Sequence, residues 1–212
     1  DEGFITIDGH DYQINDIEKV TNVVLFHLAE DVPEDVVGKD CVQHVDAEVR
    51  EILRVQHTAT HVVAAATRKV LGPHVWQNGA KKTKFGAHID LTHYELPSFE
   101  TVQEIERTAN LMIFSHAAVH KQVFTRKEAE GKWGFVLYQG GAIPGNAIRV
   151  VDIDGLDTEA CCGTHCDNLG EIGLIKITNT TKVSDGVFRI EFCAGKLALD
   201  SNIKDKVLIH EL

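Results

Sequence analysis

No stretch of this sequence stays apolar over anything near 18 residues, which argues against a membrane-spanning helix. Nothing at its start has the form of a signal peptide. The expectation is a soluble, cytoplasmic protein with no membrane partner. Cysteine is scarce and odd in number: Cys41, Cys161, Cys162, Cys166 and Cys193. Three of the five crowd one six-residue stretch, which suits metal-binding thiolates in a reducing compartment better than a secreted disulfide framework. Positive charge is also short, with 21 Lys and Arg against 32 Asp and Glu and a formal net charge of −11. Phosphate neutralisation supplies most nucleic-acid affinity, so the domain as a whole is no electrostatic clamp and any such contact is local. Arg68, Lys69, Lys81, Lys82 and Lys84 are the best local candidates, although a solvated basic patch is the plainer reading of such a run. Low-complexity segments and internal repeats are missing. The chain opens on Asp1, and Met112 is its only methionine. It enters at once on the strand-like run Gly3–Ile7, so a piece of a longer protein is expected.

Residues 1 to about 46 read as a β-rich unit, part of an incomplete barrel. Gly3–Ile7 alternates, Asp8-Gly9 is a turn signal, and Tyr12–Ile14 can return as a hairpin. Val20–Leu28 and Cys41–Val45 are further apolar runs. From about Asp46 the period becomes helical through Val49, Ile52, Leu53, Thr60, Val63, Ala64, Thr67 and Leu71, and Gly72-Pro73 stops it. After a polar connection, His88–Tyr94 alternates like a strand. Pro97-Ser98-Phe99-Glu100 opens a second helix, expected to run to about His120. Strands are then expected over Val119–Thr125, Phe135–Tyr138, Ile148–Ile153, Ile172–Thr178 and Val187–Phe192, with a terminal helix over Leu197–Leu212. Without a regular βαβ repeat, the fold class is α+β: an antiparallel sheet with long helices packed on it. The second unit spans 47–212.

Two pairs of metal-capable side chains stand out, His57-Thr-Ala-Thr-His61 and Cys161-Cys-Gly-Thr-His165. Each is spaced i, i+4, and together they offer three imidazoles and one thiolate, a natural tetrahedral set for Zn²⁺. The first pair sits on one face of the first helix, about one turn apart. The second lies in a loop that Gly163 lets bend inward. Cys162 or Cys166 could take the place of Cys161, whose spacing to His165 mirrors the first pair. A further HxxxH, His116-Ala-Ala-Val-His120, has no partner thiolate and reads as a helix-surface or core pair. The first helix lacks the Glu of HExxH, so the base of a zinc protease is missing.

These motifs, in this order, resemble a known family. His57-Thr-Ala-Thr-His61, Gln77-Asn-Gly79, Glu159-Ala-Cys161-Cys-Gly163-Thr-His165 and Gly170-Glu-Ile-Gly173 are similar to the editing domain of alanyl-tRNA synthetases and their free-standing relatives. Asp1-Glu2-Gly3-Phe4-Ile5, Arg189-Ile190-Glu191 and Ala194-Gly195 extend the likeness over nearly the whole chain. The second motif of that family usually reads Cys-Gly-Gly-Thr-His, and Cys162 stands here at its first glycine. The resemblance implies hydrolysis of the ester of mischarged seryl- and glycyl-tRNA(Ala). It also implies zinc on His57, His61, Cys161 and His165, with Thr60 and Gln77 as pocket residues. The tRNA(Ala) acceptor end carrying serine or glycine is the implied partner, and the aminoacylation and C-terminal modules of a synthetase would lie outside this chain. Taken alone, Thr60 is an ordinary helix hydroxyl bonded to its own backbone, and Gln77 a loop amide. A free-standing trans-editing deacylase, the related editing domain of threonyl-tRNA synthetases and a non-catalytic zinc-stapled tRNA-binding module stay open as alternatives.

Overall fold

The computed structural model describes every residue except 21, 22, 140, 142 and 212. The chain divides into two compact units, 1–53 and 54–212. In the first, β1 (Gly3–Ile7), β2 (His10–Val20), β3 (Val23–Leu28) and β4 (Cys41–Val45) form one antiparallel sheet in the order β3-β2-β1-β4. Asp8 and Gly9 both have positive φ, 50° and 79°, and join Ile7 to its partner His10, as a two-residue hairpin turn of type I′ requires. Four strands leave the sheet open, and the described residues form no closed barrel. Of the expected run Val20–Leu28, Thr21 and Asn22 lie outside the described residues, as does Leu212 of the terminal helix.

The second unit is built round α1 (Ala47–Leu71), which begins in the first. From Val55 to Thr67 nearly every residue of α1 is buried, and most are Ala, Val or Thr. A helix apolar or small on all sides belongs inside a core. Its buried hydroxyls stay satisfied: Thr58 donates to Arg54 O, Thr60 to Gln56 O and Thr67 to Val63 O. Beside it lies a sheet in the order β10-β11-β6-β5, with β5 (Gln77–Thr83), β6 (Gly86–Thr92), β10 (Ile175–Ser184) and β11 (Val187–Ala194). Ala87, Ile89 and Leu91 of β6 and Phe188, Ile190 and Phe192 of β11 join α1 in one core, with Ile105, Ala109, Met112 and Ile113 of α2 (Phe99–Ile113). A three-stranded sheet, β7 (Val119–Thr125), β8 (Ala147–Ile153) and β9 (Asp157–Ala160), leads into the Cys161 loop. The short helix α3 (Arg126–Trp133) follows β7, and α4 (Lys196–Glu211) ends the described chain. Every paired strand is antiparallel and the class is α+β.

The structure departs from the sequence expectation in several places, the strand expected over Ile172–Thr178 among them, which begins at Ile175 and runs to Ser184. Residues 77–83, read as a polar connection, form the edge strand β5; an edge tolerates Lys81 and Lys82 because one side needs no partner strand. α2 stops at Ile113 rather than near His120, and His116 takes φ 52°. Tertiary pairing overrides propensity there: Leu169 N–H donates to Ala117 O and Val119 N–H to Asp167 O. Phe135–Tyr138 is no strand but follows α3 as a 3₁₀ turn over Gly134–Leu137. The reciprocal Thr125 and Glu128 capping box starts that unforeseen helix. β9, finally, was not foreseen.

Candidate metal centre

Helix α1 supplies His57 and His61 from adjacent turns, and the loop after β9 supplies Cys161 and His165. One donor atom from each of the four lies within 4.8 Å of every other. Cys161 Sγ is 3.3 Å from His57 Nε2 and 3.3 Å from His165 Nε2. A tetrahedral zinc with bonds of about 2.3 Å to sulfur and about 2.0 Å to nitrogen separates those atoms by roughly 3.5 Å. The donor chemistry and spacing therefore fit such an ion. The ring centroids of His57 and His165 are 4.2 Å apart, and those of His61 and His165 are 4.8 Å apart. Of the three cysteines in this stretch, Cys161 is the one in the converging group; Cys162 is exposed and Cys166 is buried, its backbone N–H on Thr58 Oγ1 at 2.9 Å.

The loop reaches this geometry through several restraints. Arg149 of β8 donates to Cys161 O at 2.6 Å and to Gly163 O at 3.0 Å, and its own carbonyl accepts the Cys161 N–H. The ammonium of Lys121 donates to Cys166 O at 3.1 Å, pairs with Asp167 and lies 3.4 Å from His165 O. Gly163 is required by close approach: a Cβ there would lie 2.1 Å from Cε1 of His57.

Behind the cluster sits a buried acidic pair. His61 Nδ1 is 2.9 Å from Asp157 Oδ2 and 3.4 Å from Glu159 Oε2, leaving the opposite ring nitrogen for the cluster. Arg68 Nη1 pairs with the other Asp157 oxygen at 3.1 Å. A carboxylate on the distal nitrogen fixes the orientation of a ligating imidazole and raises its basicity. Burial pushes His57 down to about 3, helped by the charge of Lys82. It also holds His165 far below the ordinary imidazole range, helped by His61 and His57. Both rings are thus neutral, the form that ligates. Burial alone would raise the Cys161 thiol, but the His61 hydrogen bond and charge outweigh it and bring it down. For His61 burial works downward too, yet Glu159 and Asp157 prevail and raise it well above its usual value. Charges that favour a proton on His61 also favour a divalent cation beside it. Burial lifts Glu159 to about 7.

Sequence reasoning gave no role to Asp157, Glu159, Arg149 or Lys121, Glu159 entering only as a letter of the second motif. The first two are spaced i, i+2 on β9 just before Cys161, which puts both on one face. Arg68, grouped above with the basic patch, lies seven residues after His61, about 20° away round the helix, and is committed to Asp157. Thr60 is buried, and its hydroxyl donates to Gln56 O at 2.8 Å. Gln77 opens β5, half-buried, with its backbone N–H on Gln139 Oε1. The pair His116 and His120 is not helical: His116 is in the turn after α2, and His120 lies in β7, 3.0 Å from Asp154.

A sequence profile described as the threonyl and alanyl tRNA synthetase second additional domain matches residues 148–191, which include Cys161 and His165. The alanine–tRNA ligase of Methanobrevibacter smithii is 47% identical over 212 residues, covering the whole chain and 24% of that protein. That of Methanopyrus kandleri is 46% identical over 199 residues, 94% of this chain and 22% of the other. Over this segment the chain belongs to the alanyl-tRNA synthetase family. The alanine–tRNA ligase of Pyrobaculum aerophilum, 41% identical over 203 residues, shows the same proportions, 94% and 22%. The chain thus spans about a quarter of the length of these synthetase relatives. No described helix is long and apolar enough to cross a membrane.

Proposed function

We propose that this chain is a proofreading unit of alanyl-tRNA synthetase, which hydrolyses the aminoacyl ester of seryl- and glycyl-tRNA(Ala) with zinc held by His57, His61, Cys161 and His165. The observation that carries this reading is the convergence of those four donors, from segments about a hundred residues apart, within 4.8 Å. Matches to alanine–tRNA ligases support tRNA as the partner and favour the alanyl over the threonyl assignment. The task has a physical reason. A pocket shaped for alanine admits glycine and rejects an added hydroxyl poorly, so a second site must remove the error.

Bound here, zinc supplies positive charge that can polarise an ester carbonyl or orient the terminal adenosine. The chain's own residues do the rest. Asp157 and Glu159 hold the His61 ring, Arg149 holds the loop, and Gly163 leaves room for His57. Because the Thr60 hydroxyl already donates to Gln56 O, it has only lone pairs to offer a substrate. A serine hydroxyl can donate to them and an alanine methyl cannot. A buried polar group left unpaired costs about 1–3 kcal/mol, the scale on which alanyl-tRNA is spared. Gln77 is the second proposed pocket residue.

The test is deacylation of seryl-, glycyl- and alanyl-tRNA(Ala) by zinc-loaded protein, beside Cys161→Ala and chelated controls. Hydrolysis of the first two substrates, slow attack on the third and loss in both controls is the expected pattern. A zinc-loaded protein that binds tRNA and leaves all three esters intact would make this a non-catalytic, zinc-stapled module.

A further inference from the structure

Three cations, Arg149, Lys121 and Lys82, bear on the His and Cys cluster, and they differ in what they are tied to. Lys121 is held by Cys166 O and Asp167. Arg149 is committed, with two carbonyls on one of its nitrogens. Lys82 is not: among the described residues its ammonium has no hydrogen-bond or ion-pair partner. Its place in β5 explains this. Lys82 pairs in register with Ala87 of β6, and Ala87 with Phe192 of β11. Opposed residues share a face, and Ala87 and Phe192 belong to the core against α1. Lys82 therefore points inward, half-buried, while Lys81 is directed outward with His88 and Glu191. The charge of Lys82 reaches His57 and Cys161. Burial makes its protonated form costly and lowers its pKa, and Cys161 and Glu159 only partly offset this. An inward lysine without a counter-ion in the described fold is placed to receive an anion.

Resting on the proofreading reading above, we infer that Lys82 is a catalytic residue whose ammonium meets the negative charge that forms on the ester carbonyl oxygen. Water adds to the carbonyl carbon, and the C=O π pair moves onto oxygen as an oxyanion. The pair then returns, the bond to the ribose oxygen breaks, and that oxygen leaves with a proton from the attacking water. The products are the free amino acid and a tRNA with its hydroxyl restored. A developing oxyanion is stabilised by a cation that no other anion holds, and among the described residues Lys82 is the uncommitted one whose charge bears on the cluster. Fixed positive charge aimed at a developing oxyanion lowers the barrier because it acts more strongly on the transition state than on the ester.

The test compares wild type, Lys82→Met and Lys82→Arg, all with zinc content and circular dichroism verified. Lys82→Met should lower kcat for seryl-tRNA(Ala) by about 10²-fold at near-constant KM, with partial rescue in Lys82→Arg. A binding arm needs no turnover. The anionic phosphonate analogue of seryl-adenosine should bind Lys82→Met about 10²-fold more weakly, while the neutral amide analogue binds it as it binds wild type. Equal weakening of both analogues, or a raised KM at constant kcat, would overturn the role by making Lys82 a ground-state anchor. So would a Lys82→Met variant as active as wild type. A wild type that hydrolyses neither mischarged substrate and binds neither analogue would instead overturn the proofreading reading.

Discussion

The pairs His57/His61 and His116/His120 share one spacing and lie in opposite surroundings. The first is on a buried helix with a thiolate and a third imidazole within 4.8 Å, and with two carboxylates behind His61. The second straddles a turn and a strand; both rings are exposed, and His120 pairs with the exposed Asp154. The motif is the same string of letters twice. What separates the two is whether the chain continues as a helix through the pair and whether a second segment brings opposite chemistry to it. HxxxH is thus a site only where the tertiary fold supplies the other half.

The sharpest way to break this contrast is to remove His61. His61→Ala should abolish stoichiometric zinc, read by elemental analysis. It should also cost about 3–5 kcal/mol in chemical denaturation, because it strips a partner from buried Asp157 and Glu159. Next comes Gly163→Ala, which drives a methyl into the His57 ring. Either the ring or the loop must shift, and zinc affinity measured by chelator competition should drop by at least the 10–100-fold typical of disturbed supporting residues. Asp157→Asn keeps the shape but weakens the hold on His61. Its effect should fall within about 10–100-fold in the same assay, with the fold retained. Smallest of all, the double change of His116 and His120 to Ala should leave zinc content unaltered and shift stability by no more than about 1 kcal/mol, the scale of an exposed ion pair. A large effect there, or none at Gly163, would erase the distinction drawn between the pairs.

Much of this organisation was legible beforehand. The 3.6-residue period and the Gly72-Pro73 stop gave α1 nearly to the residue, alternation gave β1 and β6, and β8 and β11 were expected as short strands. The missed elements have causes. β5 is an edge strand whose inward positions are Ala80 and Lys82, so no apolar alternation marks it. α2 ends without a Gly or Pro because pairing with the Cys161 loop region, not local propensity, stops it. For the candidate site, the four donors were readable because their spacing is local within each pair. Asp157 and Glu159 were not, since on sequence alone two acids on a short strand look like any solvated stretch. Only the packing of β9 against α1 shows that they face a histidine.

Helix α1 carries one further consequence. The thirteen residues from Val55 to Thr67, ten of them Ala, Val or Thr, both fill the core and present His57, Thr60 and His61. There is no spare face on which replacements could accumulate harmlessly. A systematic scan of this helix would therefore yield few variants that separate folding from chemistry. Engineering of selectivity is better aimed at β5 and the Cys162 side of the loop, where exposed positions leave slack.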